Sequence, residues 1–71
     1  MPRQDYYRIC SRNKGRGIEI RDRRGRVHRG RIVDYNRRGV FLGPLDRRNT
    51  ESYFVPYFSI FSLGFLIGLF L

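Results

Sequence analysis

Gly17-Ile18-Glu19-Ile20-Arg21-Asp22-Arg23-Arg24-Gly25-Arg26-Val27-His28-Arg29-Gly30-Arg31-Ile32-Val33-Asp34-Tyr35 decides the fold of this chain. Ile18 and Ile20 alternate with Glu19 and Arg21, the period-two signature of a strand with one buried face. Asp22-Arg23-Arg24-Gly25 has the composition of a tight turn, so residues 27–35 fold back as the second arm of a hairpin. Gly30 falls inside that arm, where a glycine marks a bend, a bulge or the close approach of another backbone.

Outward from the hairpin the pattern continues. Asn36-Arg37-Arg38-Gly39 reads as a second turn, Val40-Phe41-Leu42 as a third strand, and Gly43-Pro44 as its stop. After the polar loop 45–51, Tyr53-Phe54-Val55 resumes strand composition until Pro56, and a last strand is expected near residues 58–63. The expected strands are therefore 17–22, 27–35, 40–43, 52–56 and 58–63. A helical reading of residues 15–50 fails because glycines at 15, 17, 25, 30, 39 and 43 would interrupt it repeatedly. On the N-terminal side, residues 4–10 suit one or two helical turns with Tyr6, Tyr7, Ile9 and Cys10 as the apolar side. Five short strands with a bent second strand make a mainly β fold, a small closed or nearly closed five-stranded barrel with a short N-terminal helix. Its expected core is Ile18, Ile20, Ile32, Val40, Leu42, Val55 and Ile60.

The 71 residues support one domain and bury only about 60% of the unfolded surface, so stability is marginal without help. Cys10 is the single cysteine, which excludes an intrachain disulfide and makes a small buried hydrophobe its expected role. One Cys and one His do not make a zinc site, and no cofactor is expected. The N-terminus lacks the apolar core of a secretory signal, so a cytoplasmic location is expected.

Charge divides the chain in two. All fifteen basic residues, fourteen of them Arg, precede residue 49, and residues 1–48 carry a formal +10. Several of Arg23, Arg24, Arg26, Arg29, Arg37 and Arg38 sit on turns, where a guanidinium reaches phosphate bidentately. All six are the expected polyanion-binding residues, contacting mainly the backbone of a nucleic acid. A merely solubilising surface would mix in lysine and acid. His28, without a Ser or Cys partner at readable spacing, is expected to be a packed or surface histidine. The tyrosines are expected in cross-strand packing before base stacking. Nothing here has the paired carboxylates, metal cluster or activated nucleophile of an enzyme.

The hairpin from Gly17 to Asn36, followed by Val40-Phe41-Leu42, resembles the first motif of the Sm-like family, which includes the Hfq-type RNA chaperones. The likeness lies in paired β-branched residues, a turn glycine, a second glycine five residues later, an aliphatic residue two beyond it, and then an apolar strand. The resemblance implies a small barrel, edge-to-edge joining into rings through the fourth and fifth strands, and RNA as partner. Arg26 and His28 stand where that motif places apolar residues. Phe54-Val55-Pro56-Tyr57-Phe58-Ser59-Ile60 occupies the region of the family's RNA-facing Lys-His or Arg-Gly pair, so the family's base pocket does not carry over. A KOW or SH3-like module is the alternative small basic barrel and implies a monomer docked on RNA.

Residues 52–71 are uncharged. Residues 1–63 are assigned to the barrel and 64–71 to an apolar tail, whose Phe65, Leu66, Ile67, Leu69, Phe70 and Leu71 are expected to mediate assembly with neighbouring copies. A structural subunit of a ring, stack or fibre without an RNA role is the first alternative. The second is a membrane anchor, because residues 55–71 as a helix would reach about 25 Å, the short limit for a bilayer span.

Overall fold

The computed structural model describes residues 5–45 and 51–66. A short helix, α1 (Tyr6–Arg12), precedes the strands β1 (Gly17–Asp22), β2 (Val27–Tyr35), β3 (Gly39–Gly43) and β4 (Tyr53–Pro56). A 3-10 turn, Tyr57–Ser59, leads from β4 into β5 (Ile60–Phe65). The helix begins two residues later than its sequence suggests because Asp5 is its N-cap, its side chain accepting from Arg8 N at 3.1 Å.

All strand pairs are antiparallel and form one sheet in the order β4-β3-β2-β1-β5. The barrel expected from the sequence is corrected here, because this sheet is open. β4 pairs only with β3 and β5 only with β1 among the described residues, so no backbone ladder joins the two edges. The link between them is the three-residue turn. Pro56 has no N–H to give to a ladder, and Ser59 Oγ donates to Pro56 O at 2.8 Å, folding the chain into a tight turn where a strand was expected. β5 consequently starts at Ile60 and runs to Phe65, past residue 63. The sheet curls at two register shifts, one between Ile32 and Asp34 in β2 and one between Arg21 and Asp22 in β1.

The core is Cys10, Ile18, Ile20, Ile32, Val40, Leu42, Val55 and Ile60, the seven residues the alternation selects together with the helix cysteine. Each strand sends alternate residues to this face, and α1 lies against β2 and β3. Tyr6 stacks on Tyr57 and Tyr7 meets Tyr35 edge-on, so these tyrosines pack between the helix and the sheet side of the fold, where cross-strand pairs were expected. Gly30 marks a close approach: a Cβ there would lie 2.5 Å from the carbonyl oxygen of Gly43 in β3.

No helix among the described residues is long and apolar enough to cross a membrane. The helix over residues 55–71 that a bilayer anchor requires is replaced through Phe65 by β4, the 3-10 turn and β5. Phe65 pairs with Ile18 in the ladder, under the Arg16 guanidinium at 4.9 Å, and Leu66 N donates to Gly17 O at 3.1 Å. Ile67, Leu69, Phe70 and Leu71 lie outside the described residues.

Candidate nucleic-acid interface

Both arginine-bearing turns are built the same way. In the first, Asp22 Oδ1 accepts from Arg24 N and Arg26 N, each at 2.9 Å, and Gly25 N donates to Asp22 O at 3.1 Å. Gly25 takes φ +87°, a left-handed conformation that glycine adopts without a side-chain penalty. In the second, Asn36 Oδ1 accepts from Arg38 N at 2.8 Å and Gly39 N at 3.0 Å. In each case a short polar side chain holds the amides of the turn. The guanidinium groups of Arg23, Arg24, Arg26, Arg37 and Arg38 belong to exposed residues.

The 3-10 turn brings these two sequence-distant turns to one place. Its first residue, Tyr57, donates its N–H to Arg38 O at 3.0 Å. Its far end accepts from the other turn, Arg23 N to Ser59 O at 3.0 Å and Arg23 Nε to Phe58 O at 2.8 Å. Phe58 stands at the tip between them and is 78% exposed. Arg29 is placed apart: its Nε donates to Glu19 Oε1 at 2.7 Å, a solvent-facing ion pair across β1 and β2.

Between the first turn and the β4 edge, where the sheet fails to close, lies a groove of about 430 Å³. Arg23, Arg24 and Arg26 line one wall, and Tyr53, Phe54 and Phe58 supply aromatic surface on the other. Its floor is a polar chain. Asp22 Oδ2 lies 3.0 Å from His28 Nε2, and His28 Nδ1 lies 3.3 Å from the Tyr53 hydroxyl. A carboxylate only accepts, so Nε2 carries the proton toward Asp22, and in the neutral ring Nδ1 accepts from the Tyr53 hydroxyl. The hydrogen bond from His28 is the main cause that holds the Asp22 carboxyl below its ordinary value, aided by the amides of Arg26 and Arg24. Burial pushes the Tyr53 phenol up. Asp22 is the acid on the groove wall, and these three donors occupy it.

On the core side, burial pushes the Cys10 thiol up to about 11, and burial also raises the Tyr57 phenol. Tyr57 Oη is buried with no hydrogen bond of good geometry among the described residues, its polar neighbour being the weakly bonding Cys10 thiol. No three His, Cys, Asp or Glu side chains cluster as metal ligands among the described residues.

Of the six arginines selected from sequence, five flank the 3-10 turn through its two hydrogen-bonded neighbours and Arg29 is paired elsewhere. Sequence reasoning missed Asp22, His28, Tyr53, Phe54 and Phe58 as groove residues. The hairpin register carried part of the signal, because a turn at 22–25 sets His28 opposite Ile20 and within reach of Asp22.

No family model and no solved structure matches the chain. Forty residues, 56% of the chain, are 42% identical to "Uncharacterized protein YodI" of Bacillus subtilis (strain 168) and cover 48% of that protein. The match thus spans about half of a relative whose name states no activity.

Proposed function

We propose that this chain is a non-enzymatic, self-associating module whose arginine-rich surface binds polyanions, with RNA as the ligand. The observation that carries the reading is the hydrogen bonding of both arginine turns to the same three residues, Tyr57, Phe58 and Ser59. Arg23, Arg24 and Arg26 of the first turn line one groove together, and an anionic chain relieves the repulsion among them. The test is a salt titration of a short single-stranded RNA. Five arginines, each neutralising one phosphate, give a log-log slope of about −3.5. A slope near zero, or no binding at low salt, overturns the reading.

Self-association is supported by the two sheet edges. β4 and β5 each pair on one side among the described residues, and Phe61 on the β5 edge is 68% exposed. An edge with an apolar side chain is a template for another chain. Joining β4 of one copy to β5 of the next is the ring geometry that the Sm-like resemblance implies. The mass of the purified particle in salt, with and without detergent, tests it: a monomer in both removes the assembly half.

A further inference from the structure

We infer that the ligand of the groove is a single-stranded nucleic acid whose base stacks on Phe58, a deeper form of the polyanion reading on which it rests. Phosphates explain the arginines but not the aromatic wall. Phe58 is 78% exposed at the tip of a tight turn, the most exposed of the large apolar residues described. A single exposed apolar side chain is ordinary on a protein surface. This one stands on a held backbone, because the carbonyl of its own residue accepts from the Arg23 guanidinium and the next carbonyl from Arg23 N. Its ring lines the same groove as Arg23, Arg24, Arg26, Tyr53 and Phe54.

An exposed aromatic ring beside arginines is the arrangement with which proteins hold single strands, one surface taking the base face and the other the backbone. A duplex offers the same phosphates but keeps its base faces stacked inside, so it engages the arginines alone. Bare polyphosphate does likewise. The groove volume lies in the range that receives a small flat group, and the Tyr53 hydroxyl lies 3.3 Å from His28 Nδ1. Stacking on Phe58 tolerates any base, so little sequence preference is expected.

The experiment compares four labelled probes on the full chain at one salt concentration: a ten-nucleotide RNA, its abasic counterpart, a ten-base-pair RNA duplex and inorganic polyphosphate. The base-bearing single strand should bind about fivefold tighter or more than the abasic strand. Phe58→Ala should remove that difference, and Phe58→Trp should restore it. Equal binding of base-bearing and abasic strands, or an unchanged difference in Phe58→Ala, overturns the inference and leaves the polyanion reading standing. Failure of all four probes at low salt overturns both. Phosphatidylglycerol vesicles are the control beside these four: Phe58-dependent binding to them, without base discrimination among the strands, overturns the inference in favour of a membrane surface.

Discussion

The Nε of Arg23 donates to the carbonyl oxygen of Phe58 at 2.8 Å, a bond that crosses thirty-five residues of sequence. It fastens the β1–β2 turn to the turn between β4 and β5, just beyond the end of the β1–β5 ladder where Asp22 pairs with Ile60. Arg23→Ala should therefore cost about 1 kcal/mol of stability, the scale of an exposed charge-assisted hydrogen bond. Arg24→Ala, whose side chain makes no such bond among the described residues, should stay within about 0.5 kcal/mol. Urea denaturation of the two variants separates them. Equal losses would mean that Arg23 is not a fastener.

The core makes a sharper contrast. Ile32→Ala should cost about 2–5 kcal/mol, because Ile32 is fully buried between strands that cannot easily collapse onto the space. In a domain this small, a loss at the upper end leaves much of the chain unfolded at room temperature. Phe61→Ala should change stability by less than about 0.5 kcal/mol. Gly30→Ala belongs with the core variants, since its methyl would meet the Gly43 carbonyl and the two strands must part. A cost of about 1–3 kcal/mol is expected, again by urea denaturation.

Much of this sheet is legible in the sequence, for local reasons. Ile18 and Ile20 alternate with charges, Asp22 and Gly25 punctuate, and Val40 and Leu42 share one face, so the first three strands and the core follow from period and turn chemistry. Tyr57, Phe58 and Ser59 have strand-like composition but form a 3-10 turn. What decides them is Ser59 bonding back to the Pro56 carbonyl, an interaction that residue preferences do not see. The groove was illegible for a different reason. Tyr53 meets His28, and Arg23 meets Phe58, only because the sheet curls, and that curl arises at register shifts that no single residue announces.

Acid should loosen the first turn. The folded Asp22 carboxyl sits below its ordinary value of 3.8, so the stability it contributes is present above that value and is lost as pH falls through the folded one. Asp22→Asn should be less stable than the parent at neutral pH, with the gap between the two melting temperatures closing below about pH 3.8. A gap that stays constant into acid would show that the carboxylate charge is not what holds the turn.

Alkali acts on the core, with the opposite sign. The folded Cys10 thiol titrates at about 11 against an ordinary 9.0, so its contribution is complete below pH 9 and is lost as pH rises through 11. Tyr57, raised by the same burial, adds to the loss at still higher pH. Cys10→Ala should flatten the decline between pH 9 and 11, followed by thermal melting. In the parent, a thiol reagent at pH 8 should react far more slowly with the folded than with the urea-unfolded chain.

β5 runs back along β1, so Ile60 lies opposite Asp22 and Leu66 is bonded to Gly17 at the other end of the same strand. The basic turn and the point where the chain leaves the sheet are thus separated by the length of β1, about 17 Å at the rise of a β-strand. This gives the molecule two poles. A body gripping it near Phe65 and Leu66 would hold it like a peg in a socket, with the arginine groove standing clear at the far end. A contact confined to that pole and a ligand confined to the groove would not compete for the same surface.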